Sequence, residues 1–376
     1  MKIGITCYPT YGGSGIVATE LGLELANRGH QIHFITYANP IRLYDRPDIL
    51  YHEVEVSNYP LFQYPPYCLA LASRMAEVSV EYDLDLLHVH YAIPHSVSAM
   101  LARGMLAKQR TRPLPFVTTL HGTDITLVGI DRSYFWITKH SIEESDGVTS
   151  ISNDLKEPTV RVFGIDEKKI EVIHNFVNLS QYCPGQRVES RVGAARPLRM
   201  MHLSNFRPVK RVLDCVRILA EVRREVDAEL WMVGDGPDRG AAEHMAHELG
   251  LIRHVRFLGK RNDVPALLRE TDVLLMPSEM ESFGLAALEA MASGVVPIGT
   301  RVGGVPELID DGVTGFLCEV GDIDGMAQAA IRVLENDGVR ETMAAAARHA
   351  AEARFSSEAI IPQYEEMYRR VIAAGS

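Results

Sequence analysis

Short apolar runs alternate along this chain with stretches of helical periodicity, and past the middle the alternation starts again. Parallel strands need a crossover, usually a helix, between them, so this rhythm implies βαβ units and parallel sheets. In the first half, strands are expected at Lys2–Thr6, Gln31–Thr36, Leu84–His90, Phe116–Leu120, Gly147–Ser150 and Ile170–His174. Helices fall between them at Ile16–Arg28, Leu69–Glu81, His95–Lys108 and Phe135–Ser145. The stretch Tyr182–Pro197 has little apolar periodicity and reads as a connection. Beyond it strands are expected at Arg199–Leu203, Glu229–Val233, Val255–Leu258, Val273–Met276 and Val296–Gly299, with helices starting near Arg211, Ala241, Val264 and Phe283. A last helix, Glu358–Ala373, follows Ser356 and Ser357, which are plausible caps. The fold class is therefore α/β, with two Rossmann-like domains. Ligands of such sheets bind at strand carboxyl ends, here expected to face each other across a cleft.

A chain of 376 residues can bury two separate cores, and 47% hydrophobic with 23% charged residues is ordinary for a globular protein. Its net charge of -11 argues against a nucleic-acid or anionic-membrane surface, which normally carries a basic excess. Cys7, Cys68, Cys183, Cys215 and Cys318 are scattered and form no CxxC pair, which argues against a disulfide framework or a structural zinc site. Residues 1 to 8 read as a first strand rather than a signal peptide, and no window is long and apolar enough for a membrane span. The cytoplasm is the expected location.

Gly12-Gly13-Ser14-Gly15 follows the first strand directly and opens a helix. Glycines let a backbone approach a ligand, and a helix N-terminus offers free N–H groups to an anion. Gly13-x-Gly15-x-x-Ala18 satisfies a lenient dinucleotide fingerprint, but the second strand ends Thr36-Tyr37-Ala38-Asn39, without the acid that would hold a ribose. The motif fits a phosphate-facing turn or simply a tight strand–helix connection. Ser204-Asn205-Phe206-Arg207-Pro208-Val209-Lys210-Arg211 occupies the matching junction of the second half. Cations at a helix start oppose the helix dipole, which makes sense if an anion bridges them. A solvated surface cluster is the alternative.

The most specific element is Glu281-Ser282-Phe283-Gly284-Leu285-Ala286-Ala287-Leu288-Glu289, ending in Ser293-Gly294. With a helix beginning near Ser282, its carboxylates would lie on the order of 12 Å apart along the axis. That is too far for a hydrolytic pair sharing one glycosidic bond, and suits two groups gripping opposite ends of a nucleotide-sugar. Alternatively, Glu281 favours the helix start and Glu289 is merely exposed. His88 and His90 alternate on one strand and face one way, but no third metal ligand follows at sensible spacing, so neither metal nor cofactor is expected. His121, in Thr118-Thr119-Leu120-His121-Gly122-Thr123-Asp124, has the better claim to chemistry because it ends a strand. Val233-Gly234-Asp235-Gly236-Pro237-Asp238 reads as a further ligand-approaching turn.

Taken together, the Glu281/Glu289 element, the GGSG turn and the LSNFRPVKR junction resemble the retaining GT-B glycosyltransferases of the family-4 type. The likeness runs over nearly the whole chain through GITCYPTYGGSGIVATELG, HYAIPHSV, TTLHGTDIT, HNFV and ESFGLAALEAMASG, and the HYAIPH and YPPY segments point to malate-using members. The resemblance implies an N-terminal acceptor domain over 1–185, a C-terminal donor domain over 186–355, and a helix over 356–376 that returns to the N-terminal domain. It implies UDP-N-acetylglucosamine as donor and L-malate as acceptor, in the first step of bacillithiol biosynthesis. Glu289 would hold the ribose, and Arg207 and Lys210 with Arg211 the diphosphate. Glu281 and the backbone at Ser282, Phe283 and Gly284 would hold the hexose, with Asn205 and Gly234 also on the donor side. Gly13 and Ser14 would lie against phosphate and acceptor, and Tyr91, Thr118, Asn175 and Arg207 around malate. His121, Arg207, Lys210 and Glu281 would carry the chemistry, with no nucleic-acid or membrane partner and a second copy of the chain left open. Also open are a family-4 transferase with another acceptor, a sugar-nucleotide epimerase, and a non-catalytic nucleotide-sugar-binding regulator.

Overall fold

The computed structural model describes residues 1–10, 12–41, 43, 46–57, 61, 63–185 and 198–375. Residues 186–197, the larger part of the connecting stretch read from the sequence, lie outside the described residues. The chain forms two compact units. One comprises Met1–Asn175 with Glu358–Ser376, and the other Phe176–Ser357.

The first unit holds a seven-stranded parallel sheet of β1 (Lys2–Thr6), β2 (Gln31–Thr36), β3 (Ile49–Glu53), β4 (Leu86–His90), β5 (Phe116–Leu120), β6 (Gly147–Ser150) and β7 (Ile170–Val172). Their spatial order is β3-β2-β1-β4-β5-β6-β7. Strands β1, β4, β5 and β6 are buried nearly throughout, as a sheet covered on both faces requires. β3 is additional to the strands expected from sequence. It is an edge strand whose sequence, Ile-Leu-Tyr-His-Glu, lacks the continuous apolar run that marks a central strand. A helix over Ser357–Ala374 ends the chain, and within this unit its Tyr368 hydroxyl lies 2.7 Å from His88 Nδ1.

The second unit holds a six-stranded parallel sheet of β8 (Leu198–Ser204), β9 (Ala228–Gly234), β10 (Val255–Gly259), β11 (Val273–Met276), β12 (Val296–Thr300) and β13 (Phe316–Cys318), in the order β10-β9-β8-β11-β12-β13. Its core gathers Met200, Val216, Leu219, Leu230, Leu275, Ile298 and Ala330 from sheet and helices. β13, a three-residue edge strand, and the helices Ile323–Glu335 and Asp337–Phe355 also went unassigned from sequence.

In both units the strand order reverses beside the first strand: β1 neighbours β4, and β8 neighbours β11. Adjacent loops leave such a switch point in opposite directions and open a crevice at the strand carboxyl ends. Those loops follow β1 and β4 in one unit, and β8 and β11 in the other, where they run over Asn205–Arg211 and Pro277–Gly284.

Candidate functional site

In the second unit the loops after β8 and β11 are joined. The Glu279 N–H donates to the Val209 carbonyl at 2.8 Å, and the Lys210 ammonium pairs with the Glu281 carboxylate. Glu281 also accepts from the Ser278 hydroxyl at 3.1 Å, while its carbonyl accepts from the Gly304 N–H at 3.1 Å. Beneath the loop, buried His202 donates from Nδ1 to the Leu275 carbonyl at 2.9 Å, which leaves Nε2 to accept from Ser204 at 2.7 Å. Ser204 Oγ in turn accepts from the Phe206 N–H at 3.2 Å. Phe206 is fully buried at φ 41°, so the chain turns sharply and leaves Asn205 and Arg207 exposed. Arg207 has no ion-pair partner among the described residues.

Lys210 is half-buried, and its partner Glu281 comparably so. Glu281 does not lie on the helix expected from sequence. Gly284, at φ 98°, caps a helix that begins at Leu285, so only Glu289 is helical. The separation of carboxylates along one axis therefore falls away. Instead, Glu281 reaches the basic loop directly, and Glu289 sits in the buried helix wall, accepting from the Tyr182 hydroxyl at 2.6 Å. Between them, Phe283 is buried against Phe355, ring centroids 5.7 Å apart, so Ser282 and Gly284 are held by an anchored side chain.

Two residues of the expected donor side have structural employment. Arg211, at φ 49°, pairs through Nε with buried Asp214 at 2.6 Å. Gly234 is opposite Ser204 in the β8–β9 ladder, and a Cβ on it would lie 1.8 Å from the Ser204 carbonyl oxygen. The glycine of that turn is thus demanded by the neighbouring backbone, without invoking a ligand.

In the first unit, the helix Gly13–Asn27 starts after β1 without a side-chain cap among the described residues. A Cβ on Gly15 would lie 2.4 Å from the Tyr8 carbonyl oxygen, whereas one on Gly13 would meet nothing within 4 Å. The two glycines therefore serve different ends: Gly15 closes the turn, and Gly13 keeps the helix start open. Ser14 accepts from the Tyr91 hydroxyl at 2.9 Å, which ties the loop after β1 to that after β4. Tyr91 itself holds φ 87°, a costly conformation for a non-glycine residue, of the kind that concentrates at functional sites.

His121 ends β5 beside Tyr91, ring centroids 5.1 Å apart. Asp124 organises both loops by accepting backbone N–H bonds from Ala92 at 2.9 Å, His121 at 3.2 Å and Gly122 at 3.0 Å. Complete burial pushes its carboxyl up to about 6 against the lowering effect of those donors. Burial holds His121 down at about 3, His88 at about 3 and His95 at about 4, so all three are neutral near pH 7. His88 and His90 do share one face, rings stacked at 4.6 Å, but they pack into a hydrogen-bonded core layer. No group of three or more His, Cys, Asp or Glu suited to a metal occurs among the described residues.

Thr118 stands apart from the site-facing residues. It is fully buried, and its hydroxyl bonds Ser96 at 3.0 Å and Ser145 at 2.8 Å, so it supports the loop after β4 from below. Asn175 is buried, and its Oδ1 has no partner among the described residues. Asp124 and Tyr182 are functional-site residues beyond those expected from the motifs. An Asp three residues after a strand-end His, following Gly122, is a signal for a side chain that caps its own loop. Nothing local marks Tyr182, which bonds a residue 107 positions away.

Residues 11–181 match the model of Glycosyltransferase Family 4, and residues 193–350 that of Glycosyl transferases group 1. The chain is 47% identical to N-acetyl-alpha-D-glucosaminyl L-malate synthase of Bacillus anthracis, over 99% of this chain and 97% of that protein. Among solved structures, a glycosyltransferase from Rickettsia africae is similar at TM-score 0.82 and 24% identity, over 99% of this chain and 98% of that one. Anabaena HepE in complex with UDP and glucose is similar at TM-score 0.79 and 20% identity, over 98% and 99% respectively. At such identities the two structures speak for the fold, which is GT-B.

Proposed function

The chain belongs to the glycosyltransferase family that contains N-acetyl-alpha-D-glucosaminyl L-malate synthase of Bacillus anthracis, and from that premise we propose its reaction. N-acetylglucosamine passes from UDP-N-acetylglucosamine to the hydroxyl of L-malate with retention at the anomeric carbon, opening bacillithiol biosynthesis in the cytoplasm. The observation that carries this reading is the 47% identity over 99% of the chain.

On the donor side, Arg207 and Lys210 receive the diphosphate. Lys210 is paired with Glu281 in the free protein, and a diphosphate would share that ammonium as its own charge grows. Glu281 and the backbone at Ser282–Gly284 hold the hexose, and Glu289, steadied by Tyr182, holds the ribose hydroxyls. Asn205 lies on the same loop as Arg207, while Gly234 and Arg211 shape that loop from behind. On the acceptor side, Gly13 and Ser14 offer the open helix start to phosphate and acceptor. Tyr91 and Asn175 are the malate residues of the first unit, with Arg207 the cation that the family resemblance assigns to malate, and Thr118 props the loop that carries Tyr91.

In the reaction the bond from the anomeric carbon to the diphosphate oxygen breaks, and its electron pair leaves with UDP. The malate hydroxyl oxygen attacks from the same face and its proton passes to the departing phosphate. The two cations stabilise charge where it develops, which lowers the barrier more than it tightens ground-state binding. The carbonyl of His121 faces the positive anomeric centre.

The test is to incubate the protein with UDP-N-acetylglucosamine and a panel of hydroxy acids and to identify products by mass spectrometry. The expected outcome is a malate conjugate, with UDP released only when malate is present. UDP release without acceptor would favour an epimerase or hydrolase, and binding without turnover a regulator.

A further inference from the structure

The rings around His121 constrain where its proton sits. His90 Nδ1 lies 2.8 Å from His121 Nε2, so one of these two nitrogens carries the shared hydrogen. Both rings are neutral near pH 7, because burial disfavours their charged forms. Neutral imidazole has one N–H and one lone pair, and fixing one nitrogen therefore fixes the other.

Two arrangements remain. If His121 Nε2 donates, His90 must carry its own hydrogen on Nε2. That atom is buried and has no partner among the described residues, so an N–H would be stranded inside the fold. If instead His90 Nδ1 donates, His90 Nε2 keeps only a lone pair. Orphaned buried donors are rarer and costlier than under-satisfied acceptors. His95 cannot rescue the first arrangement. Its Nδ1 donates to the His90 carbonyl oxygen at 2.5 Å, which leaves its Nε2 a bare acceptor, but that Nε2 and the His90 Nε2 are both buried without a hydrogen-bond partner among the described residues, so they do not bond each other.

We propose that His90 is a positioning residue that locks His121 in the Nδ1–H tautomer, making its free ring nitrogen a hydrogen-bond donor to a sugar or phosphate oxygen and not a base. The lone pair of His121 is already used on Nε2, so its side chain can accept no proton from an acceptor hydroxyl. This assignment of the ligand atom rests on the glycosyltransfer reading above, whereas the tautomer does not.

The decisive measurement is long-range proton–nitrogen correlation NMR on the ligand-free protein. A protonated Nδ1 and bare Nε2 at His121 are expected near pH 7, and a protonated Nε2 would overturn the proposal whatever the protein catalyses. A kinetic series adds a second reading. In His90→Asn the amide nitrogen replaces the Nδ1 donor, so kcat is expected to stay within a few-fold of wild type. His90→Ala removes the donor and is expected to lower kcat roughly tenfold to a hundredfold, with donor affinity changed less. If Asn and Ala lose activity equally while both variants stay folded, the hydrogen bond is not what matters and the proposal falls. A confirmed tautomer in a protein that forms no malate conjugate would sink the functional reading alone.

Discussion

Lys210 and Glu281, 71 residues apart in sequence, form an ion pair that binds the loop after β8 to the loop after β11. Each half of the switch-point crevice in the second unit thus contributes one charge. The pair is only partly buried, so its worth to folding is small, about 0–1 kcal/mol. Lys210→Ala is therefore expected to shift the ligand-free melting temperature by no more than a few degrees. Its kcat is expected to fall strongly, on the order of a hundredfold or more, because the ammonium is needed where charge develops on the departing diphosphate. Thermal unfolding and steady-state kinetics separate the two effects. A loss confined to melting temperature would make Lys210 a structural cation.

Glu289 and Tyr182 allow a graded experiment. Glu289→Gln removes the charge offered to the ribose and is expected to weaken UDP-sugar binding roughly tenfold to a hundredfold. Tyr182→Phe keeps the ring and removes only the hydroxyl at 2.6 Å from Glu289, so a loss of a few-fold to about tenfold is expected. Calorimetric titration with UDP-N-acetylglucosamine reads both. Equal, unchanged affinities would take this helix out of the ribose site.

Stability is expected to fall on acidification. Burial holds His33, His95 and His202 at about 4 and His88 and His121 at about 3 in the folded protein, all below the ordinary histidine value of about 6.5. Between those limits the unfolded chain binds protons that the native chain refuses. Stability is thus present above pH 6.5 and is lost as pH falls toward 4, at a limiting slope of about 1.4 kcal/mol per pH unit for each such histidine. Asp124 works in the opposite sense, since its folded value of about 6 exceeds the unfolded one and it gains stability below pH 6. Urea unfolding from pH 7.5 to 5 is expected to show the histidine sign, and His88→Gln a shallower slope by about one proton. A pH-independent unfolding free energy would mean that these rings titrate normally when folded.

The central strands were legible because their runs are apolar and bounded by turns, and the doubled rhythm carried the two-sheet architecture. β3 and β13 were not, since edge strands need bury less and so carry a weaker pattern. The Glu281–Glu289 spacing was visible, but its geometry was not. Gly284 at φ 98° ends the loop at a point no periodicity marks, because Leu285, Leu288 and Ala292 fit a helix begun earlier equally well. Tyr182 and His90 act through partners distant in sequence, which no local spacing encodes, whereas Asp124 joins a local, readable cap of its own loop to a distant bond with Ala92.

Gly234 separates a backbone demand from a ligand demand. Alanine there would set its Cβ 1.8 Å from the Ser204 carbonyl oxygen at a φ of 124°. Gly234→Ala is therefore expected to destabilise the ligand-free protein severely, by several kcal/mol on the scale of strained-backbone and overpacked sites. Chemical denaturation without any ligand reads this directly. A near-native variant with impaired donor binding would restore Gly234 to the ligand-contacting set.

Gly13 is the converse case. It is the exposed first residue of its helix, and a methyl group would meet no protein atom within 4 Å. Alanine costs less backbone entropy on folding than glycine, so Gly13→Ala is expected to leave the melting temperature unchanged or raise it by up to a few degrees. If a phosphate packs against the bare Cα, that same methyl group occupies the ligand's space. Donor affinity or turnover is then expected to fall on the order of tenfold, about 1.4 kcal/mol. The contrast with Gly15→Ala is the control. There the Cβ would lie 2.4 Å from the Tyr8 carbonyl, and folding itself is expected to suffer. Should Gly13→Ala bind and turn over donor like wild type, the Gly12–Gly15 segment is a tight strand–helix turn, and the phosphate is held elsewhere.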